Sequence, residues 1–151
     1  TLNVKSKRPA YVCGRIFAIM DDLQRTVFRV AGQNINTTFA ERYFGRAIDN
    51  PQVVLVTGRR SATAWLKRLR GPLRRANWAS AYERRLDELF ALVEVIPSRA
   101  VLADKAEFIL GYHQQRADMR AERIAAAENR KKTDLPVEQD EPEIESEDVN
   151  A

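Results

Sequence analysis

The sequence predicts an all-α protein, a bundle of about five helices followed by a disordered acidic tail. Apolar residues recur at spacings of three and four, which is the period of an amphipathic helix. Prolines at positions 9, 51, 72 and 97 fall between these periodic segments and divide them. With 151 residues, 44% of them hydrophobic, the chain is long enough for one ordinary core. No apolar run approaches the ~18 residues of a membrane span.

The first two helices are predicted from their end signals. Proline suits the first turn of a helix, so we expect the first helix to begin at about Pro9 and to reach about Val30, with Gly32 ending it. The second helix is short and begins after Thr38. Thr38 and Glu41 have the spacing of a capping box, in which each side chain binds the backbone amide of the other residue.

Tyr43 and Phe44 lie in this second helix between Arg42 and Arg46. Phe39 is four residues before Tyr43, so the rings of Phe39 and Tyr43 fall on one side of the helix. We favour the interpretation that Tyr43 and Phe44 are core aromatics, and a platform on which single-stranded bases stack is the alternative. The two arginines are then the expected ligand contacts.

The third helix is expected from Pro51, with Asn50 as its cap, to about Arg70. The run VVLV at 53–56 fits a strand by β-propensity, but the helical period that follows favours a helix. One arc of this helix is apolar and comprises Gly58, Ala62, Trp65, Leu66 and Leu69. Outside that arc lie Arg59, Arg60, Lys67, Arg68 and Arg70.

The basic run continues with Arg74 and Arg75 after the Gly71-Pro72 break. No acidic residue occurs between Asp49 and Glu83. We therefore expect a dense positive surface that no local ion pair neutralises.

The fourth helix is predicted from about Asn77 to Val95, with Pro97 ending it. Its expected core residues are Trp78, Tyr82, Leu86, Leu89, Phe90 and Val93. The fifth helix is expected to begin near Asp104 and to run to about Lys132.

The fifth helix changes character along its length. Phe108, Tyr112 and Met119 lie along one side, where Gly111 would permit close helix packing. Toward the C-terminus the same side carries Arg116, Arg120, Arg123 and Arg130. This change indicates a helix that passes the end of the bundle and offers its later turns to an acidic partner. Alternatively, the arginines pair within the helix with Asp118, Glu122 and Glu128.

Charge divides the chain into two parts. All 25 basic residues and 13 of the 21 acids lie in residues 1–132, which gives this part a net charge of +12. Residues 133–151 carry the other eight acids and no base. We predict a basic helical bundle at 1–132 and a disordered acidic tail at 133–151. A body this basic indicates a polyanionic partner, nucleic acid before membrane.

The sequence offers little for catalysis or metal binding. His113 is the only histidine and Cys13 the only cysteine, and no zinc-like spacing surrounds either. No phosphate-binding loop or nucleophile motif is present. We expect no enzyme activity, no cofactor, no metal and no membrane contact. A chain with one cysteine and no secretion signal fits the cytoplasm.

Three segments resemble a known family in order and spacing. They are AYVCGRIFAIMDDLQ at 10–24, NTTFAERYFGRAIDNP at 36–51 and AEFILGYHQQR at 106–116. Together they are similar to the C-terminal helical region of the large subunit of type I-C CRISPR Cascade complexes. This chain departs from the family pattern at Val101-Leu102-Ala103, where a polar helix cap is usual, in its arginines at 59–75 and in its acidic tail.

The resemblance implies a particular kind of subunit. In that family the same region is also made by internal translation initiation and serves as the small subunit, and Thr1 would then follow a removed methionine. Such a subunit is helical and non-catalytic and lies along the crRNA-bound backbone, beside the large subunit and neighbouring copies of itself. It helps to hold the crRNA, the target DNA and the displaced strand in an R-loop, while a separate helicase-nuclease cleaves.

The residues and the resemblance lead to the same hypothesis, a subunit that binds nucleic-acid backbone without reading sequence. Its expected phosphate contacts are Arg42, Arg46, Arg59, Arg60, Lys67, Arg68, Arg70, Arg74, Arg75, Arg116, Arg120 and Arg123. A purely architectural subunit, whose basic faces bind acidic protein surfaces, is the alternative. A helix-turn-helix regulator is less favoured, because no compact recognition helix follows Gly71-Pro72.

Overall fold

The computed structural model describes residues 1–133 of the chain. This part contains five helices, joined by turns and loops, and no strand. They are α1 (Pro9–Val30), α2 (Phe39–Asp49), α3 (Pro51–Arg70), α4 (Ala76–Leu92) and α5 (Leu102–Thr133). The all-α prediction is confirmed. The predicted disordered tail lies outside the described residues, apart from Thr133, which ends α5. Within residues 1–133 no helix is both long and apolar enough to cross a membrane.

Helix α1 is the centre of the bundle. Residues 10–21 are all buried, and the other four helices pack around them. This burial follows from the composition of the segment, in which Arg15 and Asp21 are the only charged residues. Arg15 is the basic residue in the buried run, and its Nε donates to Oε1 of Gln115 on α5 at 2.8 Å. A buried charge is tolerated because it has this hydrogen-bond partner.

Glycines bring α1 and α5 into backbone contact. A Cβ added at Gly14 would lie 2.1 Å from the carbonyl oxygen of Phe108, and one added at Gly111 would lie 2.1 Å from that of Tyr11. Real side chains cannot come so close, so only glycine fits either position. The sequence-based expectation that Gly111 permits close helix packing is confirmed.

Aromatic rings fill the space between α1, α2 and α5. Around Phe17 of α1 stand the rings of Phe39, Phe44, Phe108 and Tyr112, with centroids 5.0–6.0 Å from it. These distances are typical of favourable aromatic pairs. Tyr43 packs on Phe39 with centroids 5.1 Å apart, and Tyr43 and Phe44 are both partly buried against the core. The core interpretation of these two residues is confirmed.

The start of α2 has every first-turn amide satisfied. Thr38 and Glu41 form the predicted capping box, with N–H···O distances of 3.2 and 3.3 Å. Gln24 and Asp21 of α1 accept from the next two amides at 2.6 and 2.7 Å. Orphan amides at a helix start need such partners, so α1 fixes where α2 begins.

The valine-rich start of α3 is helical, as predicted. Asn50 accepts from the amide of Val53 at 3.3 Å and caps the helix. Val54 and Leu55 are buried, whereas Val53 and Val56 are 43% and 49% exposed. The four apolar residues thus divide between two faces of one helix turn.

Helix α4 begins within one residue of its prediction but differs from it at its C-terminal end and at Trp78. It ends at Leu92 instead of Val95, and Trp78 is 44% exposed, so the assignment of Trp78 to the core is wrong. The buried side of the first turn is formed by Ala79, which is fully buried. Trp78 lies at the edge of the buried face, and the guanidinium of Arg75 lies over its ring at 5.4 Å.

Candidate nucleic-acid interface

The outward side of α3 carries two exposed basic residues. Arg60 and Lys67 are seven residues apart, about two turns, so they lie on one line of the helix. Their line is opposite the buried face that contains Gly58, Ala62 and Leu69. Within residues 1–133 neither side chain forms an ion pair. We call this pair the α3 outer surface.

Two other basic residues of α3 turn toward α4. The guanidinium of Arg59 lies over the ring of Phe90, 4.4 Å from its centroid. Arg70 forms an ion pair with Glu83. Within residues 1–133 no ion pair local in sequence neutralises this basic run, as predicted, but α4 folds back and brings the more distant Glu83 to Arg70.

Arg68 lies on the other edge of α3, away from Arg59 and Arg70. Its Nη2 donates to Oε1 of Gln33 at 3.0 Å, and its guanidinium stands 5.5 Å from the ring of Phe28. The sequence predicted one positive surface on α3. The structure instead points its basic side chains in three directions, namely outward, toward α4 and toward the end of α1.

Arg74 and Arg75 follow in the turn between α3 and α4. Arg74 is exposed and has φ of 51°, a left-handed conformation that non-glycine residues adopt infrequently. The amide of Arg75 donates to the carbonyl of Leu69 at 2.6 Å, and its side chain donates to two carbonyls of the turn. The turn therefore has a fixed backbone, and its two arginines stand at one end of α3.

Arg42 and Arg46 are both exposed on α2, one turn apart. Neither forms an ion pair in the described part of the chain. Arg46 borders a small cavity of about 130 Å³ between α2 and α3, beside Tyr43 and Thr57. Within residues 1–133 no hydrogen bond or ion pair joins this pair to the α3 outer surface.

The arginines of α5 line a groove against α1. This α1–α5 groove has a volume of about 620 Å³. Its basic residues are Arg25, Arg29, Arg116, Arg120 and Arg123. The sequence analysis did not single out Arg25 and Arg29. Their four-residue spacing near the end of α1, which places both on one side of the helix, is the sequence signal by which they could have been found.

Two aspartates of α1 organise the α1–α5 groove. Asp22 accepts from Nη2 of Arg123 at 2.5 Å, and this hydrogen bond raises the pKa of Arg123. Asp21, which is buried, lies 2.9 Å from Nε of Arg25. Arg29 is left without an ion-pair partner among residues 1–133, so the groove keeps an excess of positive charge.

In the described part of the chain the arginines of α5 do not form ion pairs with acids of the same helix, so the alternative interpretation of this helix is wrong. Arg123 pairs with α1, and Glu122 pairs with Arg85 of α4 at 2.7 Å. Arg116 donates to the hydroxyl of Tyr112 at 3.2 Å. Met119 is the last buried residue of α5. The turns that follow still contact α1 and α4 through Arg123 and Glu122, so the prediction that this helix passes the end of the bundle is not confirmed for these turns.

Chemistry other than charge is sparse in the described residues. Residues 1–133 hold no cluster of three or more His, Cys, Asp or Glu side chains placed to bind a metal ion. Burial raises the pKa of the Cys13 thiol to about 12, which keeps it protonated at neutral pH. Side-chain charge is therefore the property that distinguishes the surface of this molecule.

The fold and these surfaces define a class, a helical protein that presents lysines and arginines on stiff helices around one buried central helix. The sequence profile of a family described as CRISPR-associated protein (Cas_Csd1) matches residues 1–120. The chain therefore belongs to the CRISPR-associated Csd1 family and is a CRISPR-associated protein of the Cascade type. The match ends one residue after Met119, the last buried residue of α5. Among curated proteins no relative matches this chain.

Proposed function

We propose that this protein is the non-catalytic small subunit of a type I-C CRISPR surveillance complex and that it stabilises the R-loop by binding nucleic-acid backbone. Membership of the Csd1 family supports a place in a Cascade-type complex. The basic surfaces support the nucleic-acid contact. In this proposal the partners are the crRNA, the target DNA, the backbone and large subunits, and neighbouring copies of the chain.

The single observation that carries the proposal is the α3 outer surface. Arg60 and Lys67 are exposed, stand on a helix whose other side is firmly packed, and have no ion-pair partner in residues 1–133. R-loop formation exchanges one duplex for another at nearly equal free energy. A few added phosphate contacts therefore change the lifetime of the open state, and each contact makes binding depend more steeply on salt.

The test reverses both charges, with Arg60→Glu and Lys67→Glu in one variant of the assembled complex. We expect the complex to assemble and R-loop formation to weaken. The slope of log affinity against log salt should become shallower by about 2, one for each lost phosphate contact. Arg84→Glu with Arg99→Glu is the matched control, because it makes the same change in net charge at exposed residues outside the proposed surfaces.

Arg70 is left unchanged in this test for a structural reason. It pairs with Glu83, so a glutamate at position 70 would place two carboxylates together and disturb the packing of α3 on α4. Equal R-loop formation by the Arg60/Lys67 variant and the control, at every salt concentration, would refute the phosphate contact at this surface.

A second function, a purely architectural subunit, is favoured by one observation. Val53 and Val56 are exposed on the same side of α3 as Arg60 and Lys67, and a mixed apolar and basic face suits an acidic protein surface. Under this alternative the Arg60/Lys67 variant fails to assemble, and the isolated protein does not retard single-stranded DNA even at low salt.

A further inference from the structure

A second groove opens between α1, α4 and α5, next to the α1–α5 groove. Its volume is about 540 Å³, which is within the range of small-molecule sites. The residues along it include one tryptophan and four arginines, namely Trp78, Arg29, Arg85, Arg123 and Arg130. The paired Asp22 and Arg123 border both grooves and separate them.

Trp78 is the unusual residue of this groove. It is 44% exposed, although a tryptophan in a helical bundle is generally buried for most of its surface. Arg75 lies over the indole at 5.4 Å but does not line the groove. Trp78 thus borders the groove, and Arg75 lies over its ring from outside the set of groove residues. Trp65, in contrast, is partly buried and packs against Phe39 with centroids 5.9 Å apart.

The arginines of the groove have two roles. Arg85 and Arg123 pair with Glu122 and Asp22, and these pairs hold the walls of the groove together. Arg29 and Arg130 form no ion pair within residues 1–133. Two guanidinium groups thus border the same space as an exposed indole, without acids that neutralise them.

We infer that this groove binds an unpaired nucleotide of a single strand, with the base stacked on Trp78 and phosphates held by Arg29 and Arg130. An aromatic ring beside a positive groove is the usual means of binding single strands without sequence preference. Bases inside a duplex are stacked on each other and cannot reach the indole. The inference rests on the proposed nucleic-acid function and deepens it, because it assigns a site that selects unpaired strand over duplex.

The experiment uses the full chain with Trp65→Phe, so that Trp78 is the one remaining tryptophan. Oligothymidine, oligouridine and a DNA duplex are each titrated, and the fluorescence of Trp78 is followed. We expect quenching by the single strands and little change with duplex. Trp78→Ala, measured by gel retardation, should weaken single-strand binding about tenfold, the size of one lost stacking contact, and leave duplex binding unchanged. Trp78→Phe should lose less, because a ring remains.

The outcomes separate this inference from the proposed function. Quenching by oligothymidine alone assigns the groove to DNA, and quenching by both single strands assigns it to unpaired nucleotides in general; either result supports the inference. If Trp78→Ala and Trp78→Phe bind single strands as well as the parent, the inference is overturned while the phosphate contacts of the α3 outer surface stand. If Arg60→Glu with Lys67→Glu also has no effect on any DNA, the proposed function is overturned as well.

Discussion

Gly111 of α5 lies directly against the backbone of Tyr11 on α1, so that a Cβ at position 111 would be 2.1 Å from the Tyr11 carbonyl oxygen. Gly14 makes the same kind of contact with Phe108 one turn further along α1. The two helices therefore touch through their main chains. This contact fixes the position of α5 along α1, and with it the position of the arginines that α5 places in the α1–α5 groove.

The first prediction follows from this contact. Gly111→Ala should lower the free energy of unfolding by about 1–3 kcal/mol, because the added methyl group overlaps backbone that cannot move aside without separating α1 from α5. Chemical denaturation measures the change. Gly45→Ala is the matched control, since a Cβ there meets nothing within 4 Å. It should stabilise the protein by about 0.5–1 kcal/mol, as alanine favours a helix over glycine. Equal effects at the two positions would contradict the close helix contact.

The second prediction concerns stability at alkaline pH. The hydroxyl of Tyr82 donates to Oδ2 of Asp22 at 2.5 Å and lies 2.8 Å from Thr26 Oγ1. Burial, with the nearby Asp22 charge, raises the pKa of Tyr82 from 10.0 to about 12. The unfolded chain then loses this proton first, so the stabilising effect is complete below pH 10 and is lost between pH 10 and 12. Up to about 3 kcal/mol depends on this proton.

Tyr82→Phe tests the alkaline prediction. The variant should be less stable at neutral pH, since Asp22 loses a donor, but its free energy of unfolding should fall less between pH 10 and 12 than that of the parent. Cys13, whose pKa is also raised to about 12, acts in the same direction in both proteins and cancels in the comparison. Parallel curves for parent and variant over this pH range would disprove the assignment to Tyr82.

The third prediction concerns the acidic segment beyond α5. Residues 134–151 carry eight acids and no base, so their removal changes the net charge from +4 to +12. We predict that this segment mimics a phosphate backbone and screens the basic helices. Deleting it should tighten nonspecific DNA binding at low salt, with little effect at high salt where screening is complete. Gel retardation of one duplex at two salt concentrations provides the measurement, and an unchanged affinity at low salt would remove the idea.

The sequence predicted which basic residues lie outside the apolar face of α3, but it did not predict which of them share a surface or remain unpaired. Arg60, Lys67 and Arg70 all lie outside the apolar arc of α3, yet only the first two remain unpaired in the described residues. Arg70 pairs with Glu83 because α4 turns back along α3. Trp78 was misplaced for a related reason. Its helical spacing fits the core, but none of the five helices in residues 1–133 buries it, and its side chain is 44% exposed.

The sequence by itself determined the five helices and most of their ends. Its helical period, the prolines and the capping pair Thr38 and Glu41 are local features, and local features suffice because helix hydrogen bonds join residues four apart. Tertiary structure alone decided that residues 10–21 of α1 are buried on all sides, that Asp22 joins Arg123 to Tyr82, and that Trp78 borders a groove. The two hydrogen bonds of Asp22 join residues 60 and 101 positions apart, and the other two features likewise depend on how segments distant in sequence pack. Such contacts arise only when the helices pack.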